Sequence, residues 1–170
     1  TPAADAPDPR LLQDVVLVPR IARGRAADLL RSGGYINPAQ GEIEGYDVFS
    51  RSEAQRLSGV NPDDLRTVTV VGDSLVPEIF PGTRVVYVPH GRIEDFGLYV
   101  ILVDDGVLVK RVQRYAGGAV EIIPINPAYC KEMLFPLQDA DTSDLYRSQQ
   151  TGLTTHFRVI GKVVFYLKRA

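Results

Sequence analysis

Gly72-Asp73-Ser74 and Lys110 form the one pairing in this chain whose residue types suit covalent chemistry. A serine hydroxyl is a weak nucleophile until a base takes its proton. The two histidines, His90 and His156, stand in no Ser–His–Asp context, so the base must be another group. A neutral lysine can serve. Lys110 lies in Val107-Leu108-Val109-Lys110-Arg111-Val112, where strand alternation puts Leu108, Lys110 and Val112 on one face. If that face is buried, desolvation disfavours the ammonium and makes a free amine available nearer neutral pH. Gly72 permits an unusual backbone conformation after a strand, which can present the serine, and amides of the turn can steady an oxyanion. Plainer roles exist for both residues. Serine in such a turn is commonly a turn former or helix cap, and Lys-Arg on a strand is commonly a solvated edge charge.

The elements that must position the pair are mostly strands. Leu11 to Ile21 is β-branched and apolar, with an interruption expected at Pro19. Arg25 to Arg31 suggests a short helix stopped by Gly33-Gly34. Ser50-Arg51-Ser52-Glu53 has capping-box spacing and Gly59 suits a helix terminus, so a helix is expected over 51–58. Asn61-Pro62-Asp63-Asp64 reads as a cap, a first-turn proline and two acids, hence a single helical turn. From Thr67-Val68-Thr69-Val70-Val71 onward the period is two. Strands are expected over 84–88, 99–103, 107–112, 119–124 and 157–167, with Asp104-Asp105-Gly106 as a hairpin turn. Residues 33–49 and 128–153 read as loops. The fold class is mainly β, built of coiled hairpin sheets with two or three short helices.

Taken in order, Val70-Val71-Gly72-Asp73-Ser74-Leu75-Val76-Pro77, Pro81-Gly82-Thr83-Arg84-Val85-Val86-Tyr87-Val88, Gly97-Leu98-Tyr99-Val100, Gly106 to Val112 and Val159-Ile160-Gly161-Lys162-Val163-Val164 form a set. That set resembles the self-cleaving Ser–Lys domain of LexA, related phage repressors and the UmuD proteins, over about residues 66–166. The resemblance implies Ser74 as nucleophile and Lys110 as general base. It also implies a homodimer and, in repressors, an upstream helix-turn-helix DNA reader. Cleavage in such proteins is intramolecular, usually at an Ala-Gly or Cys-Gly bond N-terminal to the serine. Two departures stand out. Leu75 replaces the usual methionine, a nearly volume-conserving change. Upstream of Ser74 there is no Ala-Gly or Cys-Gly, and the nearest candidate for a scissile bond is Arg23-Gly24. A cleft holding a desolvated lysine should repel that arginine, so cutting is expected to be slow or unused. Ala116-Gly117 reads as a turn after the lysine strand.

Bulk properties narrow the remaining functions. The 170 residues carry a net charge of −2, which argues against this segment gripping a phosphate backbone by itself. DNA is expected as a partner only through a separate N-terminal domain. No apolar run approaches a bilayer span, so no membrane partner is expected. The single cysteine, Cys130, excludes an internal disulfide and fits a cytoplasmic setting. Two histidines and one cysteine do not make a zinc set, and Asp139, Asp141 and Asp144 fail calcium-loop spacing at Asp144 and Gln150. No metal and no small-molecule cofactor is expected.

Residues 1–10, with three prolines, read as a linker remnant from an upstream domain. Residues 11–65 then form an N-terminal region with the candidate cleavage loop, and 66–170 the Ser–Lys core. The function expected is the dimerisation and regulatory domain of a transcriptional repressor. Alternatives are a UmuD-like polymerase accessory subunit and a signal-peptidase-like enzyme acting in trans. The residues encoded ahead of Thr1 would separate the three.

Overall fold

The computed structural model describes residues 10, 13–23, 43–104, 106–137 and 144–168. Ten strands among them join one sheet. They are β1 (Val15–Ile21), β2 (Ile43–Ser50), β3 (Arg66–Thr69), β4 (Arg84–Pro89), β5 (Gly97–Val103), β6 (Gly106–Arg114), β7 (Val120–Ile122), β8 (Glu132–Pro136), β9 (Leu145–Ser148) and β10 (Thr154–Tyr166). The mainly-β class expected from the sequence is the one observed. The short helices expected over 51–58 and at Asn61–Asp64 are present as α1 (Arg51–Ser58) and a 3₁₀ turn at Pro62–Asp64, and a further 3₁₀ turn lies at Ala116–Gly118. The Ser50 hydroxyl accepts from the Glu53 amide and Gly59 closes the helix at φ 73°, as the capping pattern requires. Asn61 caps the single turn through Asp63 N. The proline-rich opening and the helix expected over Arg25–Arg31 lie outside the described residues, apart from Arg10.

Strand order is β2-β1-β3-β4-β10-β5-β6-β7-β8-β9, and β10 also pairs with β9. The strands from β5 to β9 therefore close on the first part of β10 as a small barrel, while the rest of β10 crosses to β4. Inside the barrel lies a core of Tyr99, Ile101, Val112, Val120, Leu134, Tyr146 and Phe157. A second core holds Val68, Val70, Leu75, Ile79, Val85, Tyr87, Val100, Leu102, Val107 and Val109. The strand β5 separates the two, and Tyr99 to Leu102 are all essentially inaccessible. That double burial explains its unbroken apolar run. Under α1, Val16, Val18, Ala54, Leu65 and Val86 form a third cluster.

Two segments read as loops are partly strand. Ile43–Ser50 pairs antiparallel with Val15–Ile21, and Glu132–Pro136 and Leu145–Ser148 pair with each other. The first escaped notice because its faces are inverted. Gly45, Asp47 and Phe49 point inward, while Tyr46 and Val48 are more than half exposed. The buried carboxylate of Asp47 is matched rather than stranded: Thr67 Oγ1 donates to it at 2.7 Å, and Arg20 and Arg84 both donate to its other oxygen. The other two strands are only five and four residues long, too short to show a clear period. The strand β1 runs through Pro19 without the expected interruption, its pairing continuing from Val15 to Ile21.

At Gly161 β10 passes from one partner to the other, facing Pro89 of β4 and Val100 of β5. A Cβ there would lie 2.3 Å from Tyr87 Cδ2 and 2.7 Å from the Val88 carbonyl. Tyr87 is fully buried and cannot retreat. Gly161→Ala should destabilise the protein by about 1–3 kcal/mol, as overpacking does, read as a lower urea midpoint with an unchanged slope.

Candidate active site

Ser74 sits on a turn held from both ends. Before it, Val70 N donates to Thr83 O at 2.8 Å and Gly82 N to Val70 O at 2.9 Å. Gly72 then takes φ 80°, a conformation that an L side chain resists. After it, Leu75 and Ile79 are buried in the second core, and the amides of Glu78 and Ile79 both donate to Leu75 O at 2.9 Å. Anchored this way, Ser74 is 8% exposed. The amides of Ser74 and Leu75 make no hydrogen bond with another described residue.

Lys110 comes from the middle of β6, on the face of Leu108 and Val112. Its Nζ lies 2.8 Å from Ser74 Oγ. The two residues that the sequence singles out are thus in direct contact. Burial pushes the lysine below its ordinary value, while the carboxylates of Glu132 and Asp73 pull it part of the way back. Desolvation is the larger effect, so the balance shifts toward the neutral amine. With an amine that can shed its proton and a hydroxyl at hydrogen-bond distance, the arrangement can transfer the serine proton to nitrogen as the oxygen attacks.

A loop after β7 grips the serine turn from the far side. The amides of Ile125 and Asn126 donate to Ser74 O at 2.9 and 3.0 Å. Asn126 Nδ2 donates to Asp73 O at 3.0 Å, and the Tyr129 hydroxyl donates to Asp73 Oδ1. In the sequence, Asn126-Pro127 is only a turn signal after the strand expected over 119–124. The Asn126 side chain does form the turn that asparagine favours, accepting from Ala128 N at 3.0 Å, but its grip on Asp73 is long-range and has no local signature. The same holds for Tyr129 and Glu132. Arg111, next to Lys110 but on the other face, secures the base of the loop through Ile123 O at 3.3 Å and Pro124 O at 3.1 Å.

Beside the dyad, the first half of β6 has a flank that no described strand covers. On the side away from β5, β7 pairs only with Val112 to Arg114. The Ile123 amide donates to Arg111 O at 2.8 Å on that side. By alternation the backbone of Val107 and Val109 faces the same way. Arg23 Nε donates to Val107 O at 3.2 Å, and burial lowers the basicity of its guanidinium. No hydrogen bond joins Arg23 to Ser74 or Lys110. Gly24, the other half of the candidate scissile bond, lies outside the described residues.

Other candidates stand apart from this centre. Asp144 is ion-paired with Arg158, while Asp139 and Asp141 lie outside the described residues. His90 Nε2 is 3.3 Å from Glu94, and the His156 amide is held by Asp104 at 2.8 Å. Among the described residues no group of His, Cys, Asp and Glu is arranged to hold a metal ion.

The family model described as Peptidase S24-like matches residues 31–164, a span containing both Ser74 and Lys110. No curated protein matches the chain.

Lys110 should titrate below the ordinary lysine value of 10.5, and ¹⁵N NMR of its side-chain nitrogen reads this directly. Glu132→Gln should lower the midpoint further, because it deletes a charge that favours the ammonium. Between the depressed folded value and the unfolded one the unfolded chain holds the extra proton, so this group makes stability rise with pH across that window. A midpoint at or above the ordinary value would refute the desolvation argument.

Proposed function

This chain belongs to the Peptidase S24-like family, and on that premise we propose that it is the dimerisation and regulatory domain of a LexA-like or phage-repressor-like transcriptional repressor, with a slow intramolecular Ser–Lys peptidase. The observation that carries the peptidase reading is the 2.8 Å contact between Lys110 Nζ and Ser74 Oγ in a partly desolvated setting.

In this mechanism neutral Lys110 takes the hydroxyl proton while Ser74 Oγ attacks the scissile carbonyl carbon. The carbonyl oxygen becomes an oxyanion, for which the amides of Ser74 and Leu75, bonded to no other described residue, are the proposed donors. Collapse breaks the C–N bond, and the Lys110 ammonium returns its proton to the leaving amine. The resulting ester is hydrolysed by water, whose proton again passes through Lys110. An extended segment reaches the pair by adding as a strand to the flank of β6 that no described strand covers, where Val109 offers its amide and carbonyl. Arg23 already touches that flank, so the bond from Arg23 to Gly24 is the proposed point of cutting. Bringing the Arg23 guanidinium nearer to Lys110 costs desolvation, and like-charge repulsion once Lys110 has taken the proton and become an ammonium. That cost is the reason for a slow reaction.

As a repressor domain, the chain would link two upstream DNA readers by dimerising, and cutting would separate them and weaken operator binding. Among the described residues no helix is long and apolar enough to cross a membrane, and a cytoplasmic site of action goes with the repressor role.

Full-length protein incubated across pH 7 to 10 should yield fragments at a rate that rises as Lys110 loses its proton. Mass spectrometry should place the new N-terminus at Gly24. Ser74→Ala and Lys110→Ala should each suppress cutting by more than about a thousandfold, and Arg23→Ala should accelerate it several-fold. Absence of any Ser74-dependent fragment would end the peptidase reading.

A further inference from the structure

We propose that Asn126 and Tyr129, on the loop after β7, are positioning residues for the Ser74–Lys110 pair: Asn126 fixes the backbone of the nucleophile, and Tyr129 restrains the carboxylate of Asp73 beside the lysine. The inference rests on the dyad reading above and extends it to residues that never touch the reacting atoms.

Four hydrogen bonds run from this loop to two consecutive residues. Ile125 N and Asn126 N converge on Ser74 O, Asn126 Nδ2 reaches Asp73 O, and the Tyr129 hydroxyl reaches Asp73 Oδ1. Bonding one carbonyl twice leaves Ser74 little freedom to rotate about its backbone. The loop is itself tethered: Ile125 packs against the second core, Asn126 O accepts from Tyr129 N at 3.1 Å, and Arg111 holds the two carbonyls just upstream. The serine turn therefore takes its position partly from β6, the strand that also carries Lys110. Nucleophile and base are referenced to one strand.

Tyr129 has a second effect. The charged groups that act on Lys110 are Glu132 and Asp73, and Tyr129 is the titratable group bonded to Asp73. Its own phenol is held protonated to higher pH by that carboxylate. While the phenol donates, part of the Asp73 charge is engaged away from the lysine. With the phenol removed, the full charge faces Lys110 and favours the ammonium.

The two residues should therefore fail differently. A fluorophosphonate probe measures Ser74 reactivity on intact full-length protein without requiring self-cleavage, with Ser74→Ala as background. Asn126→Ala should slow labelling about tenfold at every pH, the consequence of losing one fixed hydrogen bond, with an unmoved midpoint. Tyr129→Phe should move the midpoint of the pH–rate profile to higher pH, with near-normal rates above it. NMR of the Lys110 nitrogen should show the same alkaline movement in Tyr129→Phe and none in Asn126→Ala. Variants matching the parent in melting temperature, labelling rate and Lys110 titration would overturn the proposal. If the parent labels no faster than Ser74→Ala, the dyad reading fails by itself; the Lys110 titration then decides the Tyr129 inference, and Asn126 has no positioning role.

Discussion

An amine kept partly out of water is the constraint on which this molecule turns. Lys110 has to be dry enough to give up its proton, yet it stands near two carboxylates that favour keeping it. Burial exceeds their pull. Were Lys110 as open to solvent as the surface lysine Lys168, which pairs with Glu78 in water, the contact with Ser74 would be an ordinary hydrogen bond between an ammonium and a hydroxyl. The chemistry depends on which influence is larger, and the fold is arranged so that desolvation is.

Two buried faces on one sheet make that possible. The central strand β5 lies between two hydrophobic cores, and β6 next to it contributes alternate residues to each: Val107 and Val109 to one, Val112 to the other. A lysine in the middle of such a strand has apolar neighbours above and below it. The serine comes from a different direction, on a turn whose Leu75 and Ile79 are pinned in the core shared with β6. The geometry of the pair is thus set by packing that lies mostly outside it, and Gly161 is where the barrel and the outer sheet are allowed to meet closely.

Much of this was legible in the residues themselves. Helix α1 and the turn at Pro62–Asp64 follow from their caps, and the hairpin between β5 and β6 follows from alternation bounded by a turn. Ser74 and Lys110 were visible because each has a local context, a glycine turn and an apolar strand. What escaped had no local context. Asn126, Tyr129 and Glu132 matter through contacts with distant residues, and nothing in their neighbours announces that. The strand β2 escaped for the opposite reason, since its local pattern is misleading: Asp47 is inside while Tyr46 and Val48 are outside.

That inversion bears on how the strand keeps its register. A one-residue slip of β2 against β1 would exchange its faces, turning Tyr46 and Val48 inward and Asp47 to solvent. The same slip would turn Ile43 and Phe49 outward and bring Glu44 and Ser50 inward, so it exchanges one apolar pair for another and leaves the carboxylate's partners unmatched. The native register is marked by the carboxylate, on which Arg20 of β1, Thr67 of β3 and Arg84 of β4 all converge. One buried charge thereby tells the N-terminal hairpin which way to face on the sheet.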